Sequence, residues 1–129
     1  MQASVTFRIL GWDEEALDEP EEGPKLTRAQ IRKSFEGDLV ATGVLMYVMT
    51  YLDDENASFL GFEKVTGSLD GRSGSFVLRH TGVYDGEQAR ASCEVVPGSG
   101  TGELAGLSGS GGFAAGHAEE HDMTFEYEI

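Results

Sequence analysis

Residues 61–96 read GFEKVTGSLDGRSGSFVLRHTGVYDGEQARASCEVV, and this stretch decides the predicted fold. Two dipeptides, Asp70-Gly71 and Asp85-Gly86, each separate runs in which apolar and polar residues alternate. An Asp-Gly dipeptide favours the two-residue turn whose twist matches that of paired antiparallel strands. The stretch therefore predicts two successive hairpins that share a middle strand over Arg72–Tyr84.

The same period of two extends outward to both ends of the chain, whereas helical periodicity is hard to find. From Met123 to Ile129, for example, every second residue is apolar. The predicted strands are Ser4–Leu10, Lys25–Phe35, Leu39–Leu52, Ser58–Leu69, Arg72–Tyr84, Glu87–Val96, Thr101–Phe113 and Glu119–Ile129. Long antiparallel strands that contain many of the 18 glycines indicate a curved sheet that closes on itself. We therefore predict an all-β fold, a single eight-stranded antiparallel β-barrel domain over residues 1–129.

The composition excludes several classes of function. The chain has 129 residues, of which 40% are hydrophobic, and this suits one domain with its own core. Its formal charge of −14 repels phosphate, so nucleic acids and anionic membranes are poor partners. A single cysteine rules out an intrachain disulfide, and no apolar run reaches the roughly 18 residues of a membrane span. Because the N-terminus has no signal-peptide pattern, we expect a cytoplasmic protein.

Residues 12–24 differ in composition from the rest of the chain. They include seven Asp or Glu residues and two prolines. Such a run of like charges is usually solvated, and we predict an acidic loop over about 12–24 that keeps the protein soluble. Cation binding by this loop is an open alternative.

The first Asp-Gly turn predicts how its two strands pair. A two-residue turn at Asp70-Gly71 places Glu63 opposite Leu78. The same register places Gly61 opposite His80. Opposite residues in a sheet share a face, so all four side-chain positions point to the same side.

The second Asp-Gly turn gives an independent register. A two-residue turn at Asp85-Gly86 places Leu78 opposite Cys93 and His80 opposite Ala91. Both turns sort apolar from polar residues in the same way, which supports the assignment of one face to the lumen. The predicted lumenal face consists of Phe59, Gly61, Glu63, Val65, Phe76, Leu78, His80, Ala89, Ala91, Cys93 and Val95.

Glu63 and His80 break the apolar pattern of the predicted lumen. The register makes them diagonal neighbours on adjacent strands, with backbones roughly 7–8 Å apart. A buried carboxylate is costly unless it is paired or protonated, and a neighbouring imidazole can supply the partner. The pair is therefore a candidate general acid and base that faces a cavity. A structural hydrogen bond and a non-catalytic ligand contact are the open alternatives.

Three tyrosines are further candidates for the lumen. Tyr127 lies on the apolar face of the last predicted strand, where it either contacts a ligand or packs in the core. Tyr47 and Tyr51 depend on the length of the loop around residues 53–56. A four-residue loop would turn both of them outward, and the sequence leaves their orientation open.

Three weaker motifs predict no further chemistry. Residues 100–105, GTGELA, match a relaxed form of the dinucleotide-binding fingerprint. Such a site needs a helix directly after the fingerprint, and the glycines that follow disfavour a helix, so we expect no cofactor. In a strand His117 and His121 would share a face, yet spacing fixes no third ligand, and no metal site is predicted. Cys93 has apolar neighbours in the predicted register and is expected to be a buried, inert thiol.

Four stretches resemble the bacterial DUF3224 family. They are residues 25–28 (KLTR), 58–67 (SFLGFEKVTG), 71–80 (GRSGSFVLRH) and 96–104 (VPGSGTGEL). The resemblance implies a single-domain barrel of the allene oxide cyclase-like type. The GTG at residues 100–102 and the GLSG at 106–109 are also similar to dirigent proteins and plant allene oxide cyclases. Proteins of this wider fold guide cyclisations or couplings of apolar intermediates by shaping a hydrophobic lumen, whereas the DUF3224 family itself implies no activity.

From the fold and the resemblance we expect a cofactor-independent cyclase or isomerase that shapes a small apolar metabolite in the lumen. Glu63 or His80 would transfer a proton or hydrogen-bond a polarised carbonyl. The family pattern often has an aromatic residue at the position of Cys93, so the smaller side chain is expected to enlarge the cavity. The expected substrate-binding residues are Phe59, Phe76, Leu78, Cys93 and Tyr127.

Two other functions stay open. A non-catalytic barrel would bind or carry a small molecule and release it unchanged. A structural barrel would have a filled lumen and form a homo-oligomer, with outward-facing Val77, Val83 and Val96 in the subunit interface.

Overall fold

The computed structural model describes residues 1–129 and contains strands but no helix. The strands are β1 (Gln2–Asp18), β2 (Lys25–Gly37), β3 (Leu39–Tyr51), β4 (Ala57–Leu69), β5 (Arg72–Tyr84), β6 (Ala89–Val95), β7 (Thr101–Gly102), β8 (Ser108–Ala115) and β9 (Glu120–Glu128). All except β7 form one antiparallel ring in chain order, and β9 pairs with β1 to close it. The two-residue β7 pairs with β5 alone. The predicted all-β, eight-stranded antiparallel barrel is therefore confirmed.

Membrane-spanning helices are absent, because no helix is long and apolar enough to cross a bilayer.

The interior of the barrel is packed at one end and open at the other. In β2 to β5, buried and exposed residues alternate along the strand, as the period of two predicts. Around the packed end lie Phe35, Leu69, Phe76, Leu78, Leu104, Leu107, Phe125 and other members of the larger apolar cluster. Around the open end lie Ala29, Ile31, Leu45, Tyr47, Met49, Phe59 and Ala91. The barrel is thus filled over part of its length only.

The Asp70-Gly71 turn has the pairing that the sequence predicts. Leu69 pairs with Arg72, and Gly61 lies opposite His80. Both turn residues have positive φ, 48° at Asp70 and 83° at Gly71, as the favoured two-residue hairpin turn requires. This register places the two polar residues of the lumen on neighbouring strands.

The register predicted from Asp85-Gly86 is wrong by two residues. His80 lies opposite Cys93, not Ala91, and Tyr84 pairs with Ala89. The turn is longer because the Asp85 carboxylate accepts hydrogen bonds from the backbone N–H groups of residues 87 and 88. A shift of two residues leaves every side chain on its predicted face, so the assignment of the lumen survives the error.

The acidic segment 12–24 is a strand over its first half, not a loop. β1 continues to Asp18, which pairs with Leu26 of β2. Pairing with β2 provides hydrogen-bond partners for the backbone N–H and C=O groups, while most of the carboxylates stay exposed. On this outer surface Arg28 forms an ion pair with Glu15. Only residues 19–24 form the turn to β2.

The predicted strand Thr101–Phe113 is also broken. It consists of β7, a turn over residues 103–107, and β8 from Ser108. Gly106, with φ of 84°, permits this turn, and Leu104 and Leu107 are buried by it in the packed end of the barrel. Because the turn covers that end, access to the interior is from the opposite end.

The outer surface of β3 and β4 is apolar. Met46 is directly opposite Phe62, Val48 is opposite Leu60, and each of the four is 45–57% exposed. Val83, a member of the predicted subunit interface, is 50% exposed. The homo-oligomer stays a prediction.

Candidate functional site

A cavity of about 350 Å³ occupies the open half of the barrel. Its mouth lies between the β5–β6 and β8–β9 connections, which contribute Glu87, Gly116 and His117. Thirteen of its eighteen lining residues are hydrophobic, so the cavity is suited to a mainly apolar molecule. The aromatic members of the wall are Phe7, Trp12, Tyr47, Tyr51, Phe59, Tyr84 and Phe113.

Lys33 is a buried charged residue in the wall of this cavity, and it is not among the site residues predicted from the sequence. It lies in β2 on the same face as Ala29, Ile31 and Phe35, and it is only 3% exposed. Its Nζ is 3.7 Å from Oε1 of Glu63, which is an ion pair longer than a hydrogen bond. The alternation of apolar and polar residues in β2 indicates that Lys33 faces inward, because it is two residues from both Ile31 and Phe35.

Aromatic rings of the cavity wall contact the Lys33 ammonium. Nζ lies 4.4 Å from the centroid of the Phe7 ring and 5.1 Å from that of Phe113. Both distances are within the range of cation–π attraction. The charge is therefore stabilised by ring faces and by one carboxylate, while Lys33 still lines the cavity.

Glu63 and His80 form the predicted diagonal contact, directly behind Lys33. Nε2 of His80 lies 2.8 Å from Oε1 of Glu63, and both side chains are fully buried. Oε2 of Glu63 and Nδ1 of His80 have no hydrogen-bond partner. Neither residue lines the cavity, so a molecule in the cavity does not contact the pair directly.

Glu63 is held ionised by its two neighbours. Burial raises the pKa of the Glu63 carboxyl, but the Lys33 charge and the His80 hydrogen bond outweigh burial and hold the pKa below its ordinary value. Because an ionised carboxylate can only accept, the Nε2–H of His80 donates the hydrogen bond to Oε1 of Glu63. At neutral pH Glu63 is accordingly a hydrogen-bond acceptor and a counter-charge for Lys33.

Two glycines beside this buried polar cluster permit close packing. A Cβ at Gly43 in β3 would overlap Oε2 of Glu63 and lie 2.9 Å from the Phe35 ring. At Gly61, opposite His80, a Cβ would overlap the backbone carbonyl oxygen of Met46 in β3. Gly43 therefore leaves room for the buried carboxylate, whereas Gly61 permits the close approach of the β3 backbone.

Of the five residues predicted to bind substrate, only Phe59 lines the cavity. Phe76 and Leu78 belong to the packed half of the barrel. The sequence pattern identified inward-facing residues but carried no information about depth along the barrel axis. It therefore predicted one continuous lumen, whereas the structure has a cavity in half of it.

Cys93 and Tyr127 are also part of the packed half. Burial raises the pKa of the Cys93 thiol to about 12, so the thiol is protonated and unreactive at neutral pH. Because Cys93 is not in the cavity wall, its small size does not enlarge the cavity. The Tyr127 hydroxyl donates a hydrogen bond to Asp70 at the closed end of the barrel, which raises the pKa of Tyr127.

Tyr47 and Tyr51 both point inward, which the sequence left open. Tyr51 pairs with Ala57, so five residues, not four, connect β3 to β4, and this odd number decides the face. The Tyr51 hydroxyl donates a 2.6 Å hydrogen bond to Glu14, which places that carboxylate beside a lining residue of the cavity. Burial and this carboxylate raise the pKa of Tyr51. Burial, with a smaller effect of Glu63, raises that of Tyr47.

The two histidines of the last segment are separated by the fold. His121 in β9 is buried, with its ring 5.2 Å from that of Phe7, whereas His117 lies exposed in the preceding connection. Both line the cavity. No group of three or more His, Cys, Asp or Glu side chains is placed to hold a metal ion.

Comparison with known proteins identifies the family. A family model described as a protein of unknown function, DUF3224, matches residues 3–127. A crystal structure of a DUF3224 protein of unknown function from Shewanella oneidensis MR-1 is 31% identical, with a TM-score of 0.75 over 100% of this chain and 99% of that one. No curated protein matches the chain. The chain therefore belongs to the DUF3224 family, as the sequence stretches predicted.

Proposed function

We propose that this protein binds one small, mainly apolar molecule in the open half of the barrel, with an oxygen atom of that molecule on the Lys33 ammonium. The observation that carries the proposal is a buried ammonium in a cavity wall with its nearest carboxylate oxygen 3.7 Å away. A buried charged donor without a hydrogen-bonded acceptor is costly. A ligand oxygen would supply that acceptor.

The shape of the cavity supports a small molecule. Its volume of about 350 Å³ is at the lower end of the range for small-molecule sites. A structural barrel with a filled lumen would have no such space, so the geometry favours ligand binding over a purely structural role.

A cyclase or isomerase is the second candidate, and the position of Lys33 between the cavity and the Glu63–His80 pair favours it. An ammonium fixed in an apolar site can polarise a substrate carbonyl and stabilise the negative charge that develops there. Glu63 and His80 would then be positioning residues that act through Lys33, because neither reaches the cavity. If the sequence resemblance of residues 100–102 and 106–109 to dirigent proteins and allene oxide cyclases reflects a shared fold, it supports this candidate by analogy alone.

The test is an incubation of the protein with a bacterial metabolite extract, followed by mass spectrometry of the retained and free pools. The matched variants are the double substitution Lys33→Met with Glu63→Gln, which removes both buried charges together, and Lys64→Met, which removes an exposed lysine of β4. A compound retained unchanged by the protein and by Lys64→Met, but not by the double variant, is the result expected for binding.

Other outcomes separate the candidates. Conversion of a compound into an isomer of equal mass, lost in the double variant alone, would favour the cyclase or isomerase. Equal retention by all three proteins would contradict the role of Lys33.

A further inference from the structure

We infer that the ligand of this cavity is a neutral, flat, conjugated molecule with one carbonyl oxygen, and not a carboxylate or a flexible lipid. This inference rests on the proposed function and names the chemical class of its ligand. Three features carry it: the charge balance around Lys33, the aromatic walls, and the fixed position of the ammonium beside those walls.

The charge balance disfavours an anionic ligand. The Lys33 ammonium already faces the ionised Glu63 carboxylate, so the pair is neutral before any ligand enters. Glu87 lines the mouth, Glu14 is hydrogen-bonded to the lining residue Tyr51, and the whole chain carries −14. A carboxylate would pass these charges only to add a second negative charge beside Glu63. A carbonyl group accepts a hydrogen bond from Lys33 without that cost.

The walls favour a flat molecule. Seven of the twelve Phe, Trp and Tyr residues of the chain line this one cavity. Tyr47 and Phe59 form a pair with ring centroids 4.6 Å apart, and Phe7 and Phe113 form a second pair at 5.0 Å. Aromatic faces attract other π-systems in offset or edge-to-face arrangements. A rigid conjugated molecule also loses less conformational freedom on binding than an alkyl chain does.

The ammonium is placed to meet the edge of such a molecule. Nζ of Lys33 lies over the Phe7 and Phe113 rings, so it is held against an aromatic wall. A flat ligand that packs against the rings would direct a carbonyl at its rim toward Nζ. A flat ring system with a carbonyl oxygen at one end matches this arrangement.

The experiment uses four probe compounds of similar size in titration calorimetry with the full chain at neutral pH. Acetylnaphthalene is flat, neutral and has a carbonyl; naphthoate is its anionic counterpart. Isopropylnaphthalene lacks the oxygen, and methyl nonyl ketone has the carbonyl on a flexible chain. We expect acetylnaphthalene to bind about tenfold or more tightly than isopropylnaphthalene, as a hydrogen bond to a charged donor would give. Naphthoate should bind more weakly because it adds a negative charge beside Glu63, and methyl nonyl ketone because its flexible chain loses more conformational freedom.

Substitutions locate the effect. In the double variant Lys33→Met with Glu63→Gln, acetylnaphthalene should lose its advantage over isopropylnaphthalene, while the hydrocarbon binds as before. Lys64→Met is the matched control and should keep the full preference. A preference that persists in the double variant would overturn the assignment to Lys33.

The outcomes distinguish this inference from the function on which it rests. If naphthoate or methyl nonyl ketone binds tightest, the ligand class is wrong and small-molecule binding stands. If isopropylnaphthalene binds as tightly as acetylnaphthalene, the role of the oxygen is wrong. If none of the four binds up to its solubility limit, both the inference and the proposed function are overturned.

Discussion

Removal of the Lys33 ammonium tests the electrostatics of the buried cluster directly. In Lys33→Met the side chain keeps much of its length and apolar stem, but Glu63 loses the charge 3.7 Å from its Oε1. At that distance and an effective dielectric constant of about 20, the attraction is about 4 kcal/mol. Measured losses from breaking one partner of a buried pair are about 3–5 kcal/mol. Because His80 still donates a hydrogen bond to Glu63, we expect the free energy of unfolding to fall by about 3 kcal/mol at neutral pH.

The assay is urea denaturation of a double-mutant cycle made of the wild type, Lys33→Met, Glu63→Gln and the combined variant. Glu63→Gln removes the charge that Lys33→Met leaves unpaired. We therefore expect the combined variant to be more stable than Lys33→Met alone, with a coupling free energy of about 2–3 kcal/mol. A loss below about 1 kcal/mol in Lys33→Met, or strict additivity of the two substitutions, would refute the reasoning.

The pH dependence of the same variants has a defined sign. In the wild type the folded pKa of Glu63 is lowered, so its contribution to stability is present above the unfolded pKa of about 4.3 and is lost as pH falls through the folded pKa. Burial raises the pKa of Glu63, and Lys33 is the largest influence that lowers it, so we expect Lys33→Met to raise the folded pKa of Glu63 above the unfolded one. The deficit of Lys33→Met relative to the wild type should therefore shrink as pH is lowered from 7 toward 5. A deficit that stays constant over this range would contradict the assignment.

Three further predictions concern sites around the cluster. Gly43→Ala should lower the free energy of unfolding, measured by thermal or urea denaturation, by about 1–3 kcal/mol, because the added methyl group overlaps the buried Glu63 carboxylate. Gly116→Ala is the control. Its methyl group would make only an ordinary van der Waals contact, so the free energy of unfolding should change little. Tyr51→Phe should raise the pKa of Glu14 toward its ordinary value in an NMR titration, since the Tyr51 hydroxyl is a donor that helps to lower it, and an unchanged pKa would contradict that role. Cys93 should not react with a thiol reagent at pH 8 in the folded protein and should react fully in urea, because burial raises its pKa to about 12; rapid labelling of the native state would show that the thiol is accessible.

Local turn chemistry explains how much of the fold the sequence could predict. Asp70-Gly71 adopts the two positive φ angles that its residue types favour, so its register is correct. Asp85-Gly86 has the same residue types, but the Asp85 carboxylate caps a longer turn, and dipeptide identity alone does not distinguish the two cases. The predicted register was wrong by two residues, and an even shift leaves every side chain on the same face of the sheet. The assignment of residues to the lumen was therefore unaffected. The tyrosines of β3 depended on an odd-numbered loop, and no residue pattern fixed its length.

The candidate site was predictable in part for a similar reason. Alternation along a strand says which residues point inward, and so it found Glu63 and His80 together. The same alternation in β2 places Lys33 on the inward face. The sequence did not predict a buried Lys33, because lysines lie mostly on the surface of proteins. No comparable pattern shows how far along the barrel axis an inward-facing residue lies, and so whether it borders the cavity. The position of the cavity depends on the turn at residues 103–107, which covers one end, and on the connections that leave the other end open.

Stability alone gives a poor reason for placing this cluster inside the barrel. Buried ion pairs are often no more stabilising than apolar residues of similar volume, because desolvation offsets their attraction. This cluster also leaves two buried polar atoms without partners, and a glycine of β3, Gly43, is needed to accommodate it. The packed half of the same barrel is filled mainly with apolar side chains. The charges therefore lie where the packed half meets the cavity, a position that the proposed ligand binding explains better than stability does. If the combined Lys33→Met and Glu63→Gln variant unfolds at the urea concentration of the wild type yet no longer binds acetylnaphthalene selectively, that distinction between folding and binding is established.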